Sequence, residues 1–154
     1  MTGPSLQAAA PPLVARSCMA LDDEDFGAFL RCCTPDFRYA VRVRSPELRK
    51  WMTWLSQSRA ELEALFAALP EHLRRRGTLL RHLGPTVVDG LDALECRATT
   101  TFVVFHTGVD GRTHAWAAGP YRDRVAARDG VACLAEREVV LETRDLGAGS
   151  HVPL

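Results

Sequence analysis

The chain has 154 residues, 47% hydrophobic and 25% charged, ordinary proportions for a single soluble globular domain. Lys plus Arg and Asp plus Glu number 19 each, so the net charge is zero, which argues against nonspecific binding to nucleic acid or a membrane surface. No apolar run approaches the roughly 20 residues that span a bilayer, and five cysteines without a C-x-x-C pair argue against a disulfide framework or a zinc site.

These features predict a cytoplasmic protein with reduced, mostly buried thiols. The vicinal pair Cys32-Cys33 reads as helix-end packing in preference to a redox couple. Residues 1–12 lack the charged start and long apolar stretch of a signal peptide and read as a mobile lead-in. Residues 13–145 read as one domain.

A first helix is expected across Leu13–Leu21. Asp22, Asp23, Glu24 and Asp25 then supply negative charge where a second helix begins, which the helix dipole favours. Phe26, Phe29, Leu30 and Cys33 form its apolar stripe, and Pro35 is expected to stop it. Phe37–Arg44 alternates: Tyr39, Val41 and Val43 face one way, Arg38, Arg42 and Arg44 the other, as in a half-buried strand. The arginines are either a solvated face or a subunit contact. Trp51, Met52, Trp54 and Leu55 form a bulky apolar patch on a short strand, suited to a core, a ligand pocket or a partner surface.

Ser58–Leu69 carries the strongest helix signal. Ser58 and Glu61 fit a capping box, and Leu62, Leu65, Phe66 and Leu69 make an apolar stripe. The run Arg74-Arg75-Arg76 precedes Gly77, consistent with cations at a helix C-terminus. Thr78–Val88 reads as a strand interrupted near Gly84-Pro85. Leu94–Thr107, Arg112–Arg128 and Val131–Thr143 then read as a meander, with type I′ turns at Asp110-Gly111 and Asp129-Gly130. Pro120 cannot donate to a ladder, so a bulge or an edge is expected there. The tail, residues 146–154, reads as ordered by docking on a partner or a neighbouring subunit. Helices segregated from strands define α+β, here with N-terminal helices on a strongly curved antiparallel sheet.

Motifs for nucleophilic catalysis or phosphate binding are absent. The histidines are His72, His82, His106, His114 and His151. An even hairpin loop would place His106 and His114 on opposite faces, so no shared metal is expected. Asp22, Asp25, His82 and His106 are the residues that could serve acid–base chemistry in a cavity.

Several short motifs occur in a telling order. The acidic turn Asp22-Asp23-Glu24-Asp25-Phe26 is followed by Phe37-x-Tyr39. Arg81-His82 lies mid-chain. Gly119-x-Tyr121-x-Asp123-Arg124-Val125 and Leu134-x-x-Arg137-x-Val139-x-Leu141-Glu142 follow. This series resembles the beta subunits of Rieske-type ring-hydroxylating oxygenases over residues 15–145. Glu142 replaces the family's closing Asp, and Ala132 stands near the place of a usual Trp. The stretch from Thr143 is similar to the methanesulfonate-type branch. The resemblance implies the cone-shaped fold shared with nuclear transport factor 2 and polyketide-cyclase-like proteins. It implies a non-catalytic structural trimer supporting an oxygenase alpha subunit, with the Rieske cluster and mononuclear iron in that subunit and no cofactor in this chain. Arg38, Arg42, Arg44, Trp51 and Trp54 are the expected interface residues. The competing expectation is a stand-alone isomerase, dehydratase, cyclase or small-ligand binder on the same fold.

Overall fold

A computed structural model describes residues 5–71, 76–147, 149 and 152–154, with only the backbone of Glu71. Its elements are α1 (Leu6–Asp22), α2 (Phe26–Arg31), β1 (Cys33–Ser45), β2 (Lys50–Ser58), α3 (Arg59–Ala68), a short 3-10 turn (Leu69–Glu71), β3 (Thr78–Gly90), β4 (Glu95–Thr107), β5 (Thr113–Arg128) and β6 (Val131–Leu141).

Capping chemistry sets the helix starts. Ser5 accepts from the Ala8 N–H, Asp25 from the Ala28 N–H, and Ser58 with Glu61 forms the expected reciprocal box. α1 begins at Leu6 and runs through Pro11 and Pro12. It ends where Glu24 adopts φ 53° and the Asp25 N–H reaches the Ala20 carbonyl, the closing bond of a Schellman turn. α2 stops at Arg31, before Pro35. That proline lies inside β1, in the gap between the pairs Cys33↔Leu134 and Arg38↔Glu136. Arg59 ties this corner together, donating to the carbonyls of Leu30, Cys33 and Thr34 at 2.7, 3.0 and 3.3 Å.

The expected α+β class holds, but the strongly curved, cone-shaped, wholly antiparallel sheet does not. The six strands form one open mixed sheet in the order β2-β1-β6-β5-β4-β3. β1 runs parallel to β6, the other pairs are antiparallel, and the sheet is neither strongly curved nor closed. Hairpin signals specify only neighbours in sequence. The β1–β6 pairing joins strands far apart in the chain, and burial of Tyr39, Val41 and Val43 beside Val139 and Leu141 selects it.

The second hairpin has the expected two-residue turn, with Asp129 at φ 50° and Gly130 at φ 77° between the paired Arg128 and Val131. The first differs. Thr107 pairs with Thr113, leaving five loop residues, of which Gly111 alone has positive φ. The odd loop reverses the parity expected for the histidines: His106 pairs directly with His114, and their rings lie 5.2 Å apart on one face. The interruption at Gly84-Pro85 is a bulge between Leu83 and Thr86. The β5 bulge falls at Trp116, and Pro120 sits just beyond the end of the β5–β6 ladder at Tyr121↔Val139.

The helices cover one face of the sheet, and a single core cluster runs from Ala10 of α1 to Leu141 of β6 and on to Leu154. Gly119 permits the closest approach within it. A Cβ there would stand 2.0 Å from the Val140 carbonyl oxygen and 3.0 Å from its carbon, both backbone atoms. Gly119→Ala is therefore expected to cost about 1–3 kcal/mol, read as a lower denaturation midpoint at an unchanged m-value.

Candidate functional site

The interior face of the sheet carries two ion pairs. Arg137 of β6 and Asp123 of β5 form two parallel bonds of 2.8 Å, and both side chains are fully buried. The Arg137 guanidinium also lies 4.4 Å from the Tyr121 ring centre, and that ring stacks on Phe102 at 4.2 Å. Burial alone would pull the Arg137 pKa down. The adjacent Asp123 carboxylate more than reverses this and holds it well above the ordinary value.

The second pair joins the end of α1 to β3. Arg81 Nη1 lies 2.5 Å from Asp22 Oδ1, and the Arg81 main-chain N–H also reaches that carboxylate. Arg81 Nη2 donates to the Pro153 carbonyl, and the Leu154 N–H donates to the Tyr39 hydroxyl at 2.9 Å. Burial pushes the Tyr39 phenol up to about 12 and holds Tyr121 well above the ordinary tyrosine value. Asp22 is raised above 3.8 by burial, which the Arg81 bonds only partly offset.

The family-motif residues Tyr39, Arg81, Gly119, Tyr121, Asp123 and Arg137 are all buried inside the molecule. Arg124 and His82 of the same motifs are not. Arg124 lies on the outer face, bonded to Glu95 at 2.8 Å and near Glu136 at 3.5 Å, and His82 is exposed. That outer face holds an open groove of about 400 Å³, lined by Arg97, Thr99, Arg122, Asp123, Arg124, Glu136 and Glu138.

The four acid–base candidates are not brought together. Asp22 is engaged by Arg81, Asp25 caps α2, and His82 is exposed. His106 donates from Nε2 to the Arg76 carbonyl at 2.8 Å. Among the described residues no group of three or more His, Cys, Asp or Glu could hold a metal ion. His72, Arg74, Arg75 and His151 lie outside the described residues. Cys32 and Cys33 are free, and the Cys33 thiol donates to the Phe29 carbonyl while burial pushes its pKa to about 12. That is packing at a helix end, without a reactive thiolate.

The expected interface residues lie along the β1–β2 edge. β2 is exposed over most of its length, with Trp51 and Trp54 each 41% accessible and Met52 and Leu55 close to that. Trp54 is itself the bulged residue, between the pairs Val41↔Leu55 and Arg42↔Thr53, whereas Trp51 pairs with Arg44. Trp51 packs under Arg42, whose guanidinium lies 5.3 Å from its ring and 3.5 Å from Glu138. Trp54 lines an apolar cavity of about 120 Å³ with Tyr39, Val41, Leu55, Leu146, Val152 and Leu154. Arg38 and Arg44 are exposed.

Residues 7–138 match the model of the SnoaL-like domain family. The chain is 32% identical to the beta subunit of methanesulfonate monooxygenase hydroxylase from Methylosulfonomonas methylovora, over 92% of this chain and 83% of that one. It is 31% identical to the beta subunit of 2-aminobenzenesulfonate 2,3-dioxygenase from an Alcaligenes species, over 87% and 89%. Among solved structures, the beta subunit assigned to an aromatic-ring-hydroxylating dioxygenase of Novosphingobium aromaticivorans superposes with a TM-score of 0.84 at 23% identity, over 96% of both chains. The chain belongs to the beta subunits of Rieske-type ring-hydroxylating oxygenases, within the SnoaL-like and nuclear-transport-factor-2-like superfamily.

Three features escaped the sequence reading: the Asp22–Arg81 pair, the contact of Cys18 with Arg137 at 3.9 Å, and the docking of Leu154 on its own core. The first had a signal. Arg81 shares strand parity with Leu79 and Leu83, so a charge stood among core positions.

Proposed function

We propose that this chain is the non-catalytic partner of an oxygenase alpha subunit, and that the alpha subunit carries the Rieske cluster and the mononuclear iron. The observation that carries this reading is the dispersal of the acid–base candidates, in a chain 32% identical to a monooxygenase hydroxylase beta subunit. Phe102, Tyr121 and the Asp123–Arg137 pair occupy the space between helices and sheet, and the acid–base candidates are dispersed or engaged elsewhere. That counts against the stand-alone isomerase, dehydratase or cyclase, which needs an open pocket with a positioned acid or base.

The β1–β2 edge is the proposed assembly surface, and the proposed self-assembly is a trimer. Trp51, Trp54, Arg38, Arg42 and Arg44 combine aromatic and guanidinium anchors, the residue types that dominate binding energy at interfaces. An exposed edge strand also offers unpaired backbone groups that a partner would cover. Both curated relatives are named for sulfonates, so organosulfonates are the substrates to test on the assembled complex.

Co-expression with an alpha subunit encoded beside this chain tests the proposal. The two should co-purify, and the isolated chain should sediment as a trimer at micromolar concentration. Trp54→Ala or Trp51→Ala should weaken assembly by about 2 kcal/mol, roughly 30-fold, read as a shift of the sedimentation profile towards monomer at a fixed concentration. A monomer that retains no partner would overturn the reading.

A further inference from the structure

We propose that the pocket holding Val152–Leu154 is a recognition site for an apolar peptide segment, and that it takes the same segment from a second copy of the chain when its own is absent. This inference rests on the tail's geometry and stands apart from the oxygenase reading.

The pocket reads main-chain groups of two successive residues. Arg81 Nη2 donates to the Pro153 carbonyl at 2.5 Å, and the Tyr39 hydroxyl accepts the Leu154 N–H at 2.9 Å. The Leu154 residue is 3% exposed within the core cluster. Both recognising side chains belong to sheet strands, Tyr39 to β1 and Arg81 to β3. Arg81 is oriented before any tail arrives, because Asp22 holds Nη1 at 2.5 Å and the Arg81 main-chain N–H at 3.2 Å. A preorganised donor and acceptor reduce the ordering cost of binding.

The charges select the ligand class. Asp22 neutralises Arg81, so the acceptor that fits is a neutral peptide carbonyl in preference to a carboxylate. Beside Leu154 a cavity of about 120 Å³, lined by Val41, Trp54, Leu55, Leu146 and Val152, remains open at the β2 edge. It leaves room for a segment to enter from outside along that edge. A second copy supplies the matching chemistry: a Val-Pro-Leu stretch with the apolar Leu154 side chain, a carbonyl and an N–H at the same spacing.

The test uses the full chain folded first. Residues 147–151 are replaced by a protease site, and the folded protein is cut and dialysed. A fluorescent peptide with the sequence of residues 147–154 is then titrated in, with anisotropy as the readout. Saturable binding is expected, at least tenfold tighter than to the uncut chain. Tyr39→Phe in the cut protein should weaken it several-fold, and a peptide with Asp in the place of Leu154 should not bind. Should the cut tail survive dialysis, its exchange for labelled peptide reports the same equilibrium. A cut protein with unchanged circular dichroism that leaves the peptide free at millimolar concentration would overturn the proposal. Equal binding to cut and uncut chains would do so too, by placing the contact elsewhere. A chain expressed without residues 147–154 provides the same comparison.

Discussion

Asp123→Ala is expected to lower the folding free energy by about 3–5 kcal/mol, the usual loss when one partner of a buried ion pair is removed. The substitution strands the Arg137 guanidinium, fully buried against Tyr121 and Cys18. The energy comes from that stranded charge more than from the two bonds lost. The double variant Asp123→Leu with Arg137→Met should therefore recover most of the stability, because apolar groups of similar volume need no counter-charge. Urea denaturation of the two single variants and the double variant at neutral pH measures this. A loss below about 1 kcal/mol for Asp123→Ala would mean that water reaches the pair.

Arg81→Met is the second large effect, expected at about 2–4 kcal/mol near neutral pH. It leaves the Asp22 carboxylate facing the core and removes the donor to the Pro153 carbonyl. Asp22 is already raised above 3.8 in the folded chain by burial. A raised carboxylate pKa means that the folded state holds its proton more tightly than the unfolded state. The Asp22 contribution to stability is thus largest at acid pH, below 3.8, and falls as pH rises from there through the folded value. Removing the Arg81 guanidinium takes away the side-chain groups that opposed the rise and leaves only the main-chain N–H of residue 81, so the variant should lose progressively more stability than the parent as pH climbs from 3.8 towards neutrality. Asp22→Asn should flatten the profile in both backgrounds. Melting temperatures from pH 3.5 to 7 follow both, and a variant that loses less at neutral pH than at pH 4 would refute the assignment.

The local signals were readable in the residues themselves. The Ser58–Glu61 box, the alternation from Phe37 to Arg44 and the Asp129-Gly130 turn each depend on a few neighbouring residues, and each forms as expected. What escaped depends on distance. The parallel β1–β6 pairing joins chain segments that no hairpin links. The register of His106 against His114 turned on the parity of a loop whose length the Asp110-Gly111 signal did not specify. The interior cluster was half readable. Asp123 lies between Tyr121 and Val125, and Arg137 shares parity with Val139 and Leu141, so each strand places a charge among core positions. Opposite charges on two adjacent apolar faces point to a buried pair, and the resemblance had picked out both residues without that reason.

The parallel contact of β1 with β6 also governs the order in which the molecule can be made. β1 and β2 leave the ribosome early as an isolated hairpin, marginal in water without further strands. The strand that flanks β1 on its other side comes about 100 residues later, so at elongation rates of roughly 5–20 residues per second the hairpin waits about 5–20 s for it. Throughout that interval the tryptophan-bearing strand and the free edge of β1 are both uncovered, and the nascent chain is most open to mispairing with other chains. The completed sheet shields only the β1 edge; the outer edge of β2 stays bare in the folded chain. Folding alone thus ends the exposure of the β1 edge and leaves that of the tryptophan-bearing strand unchanged.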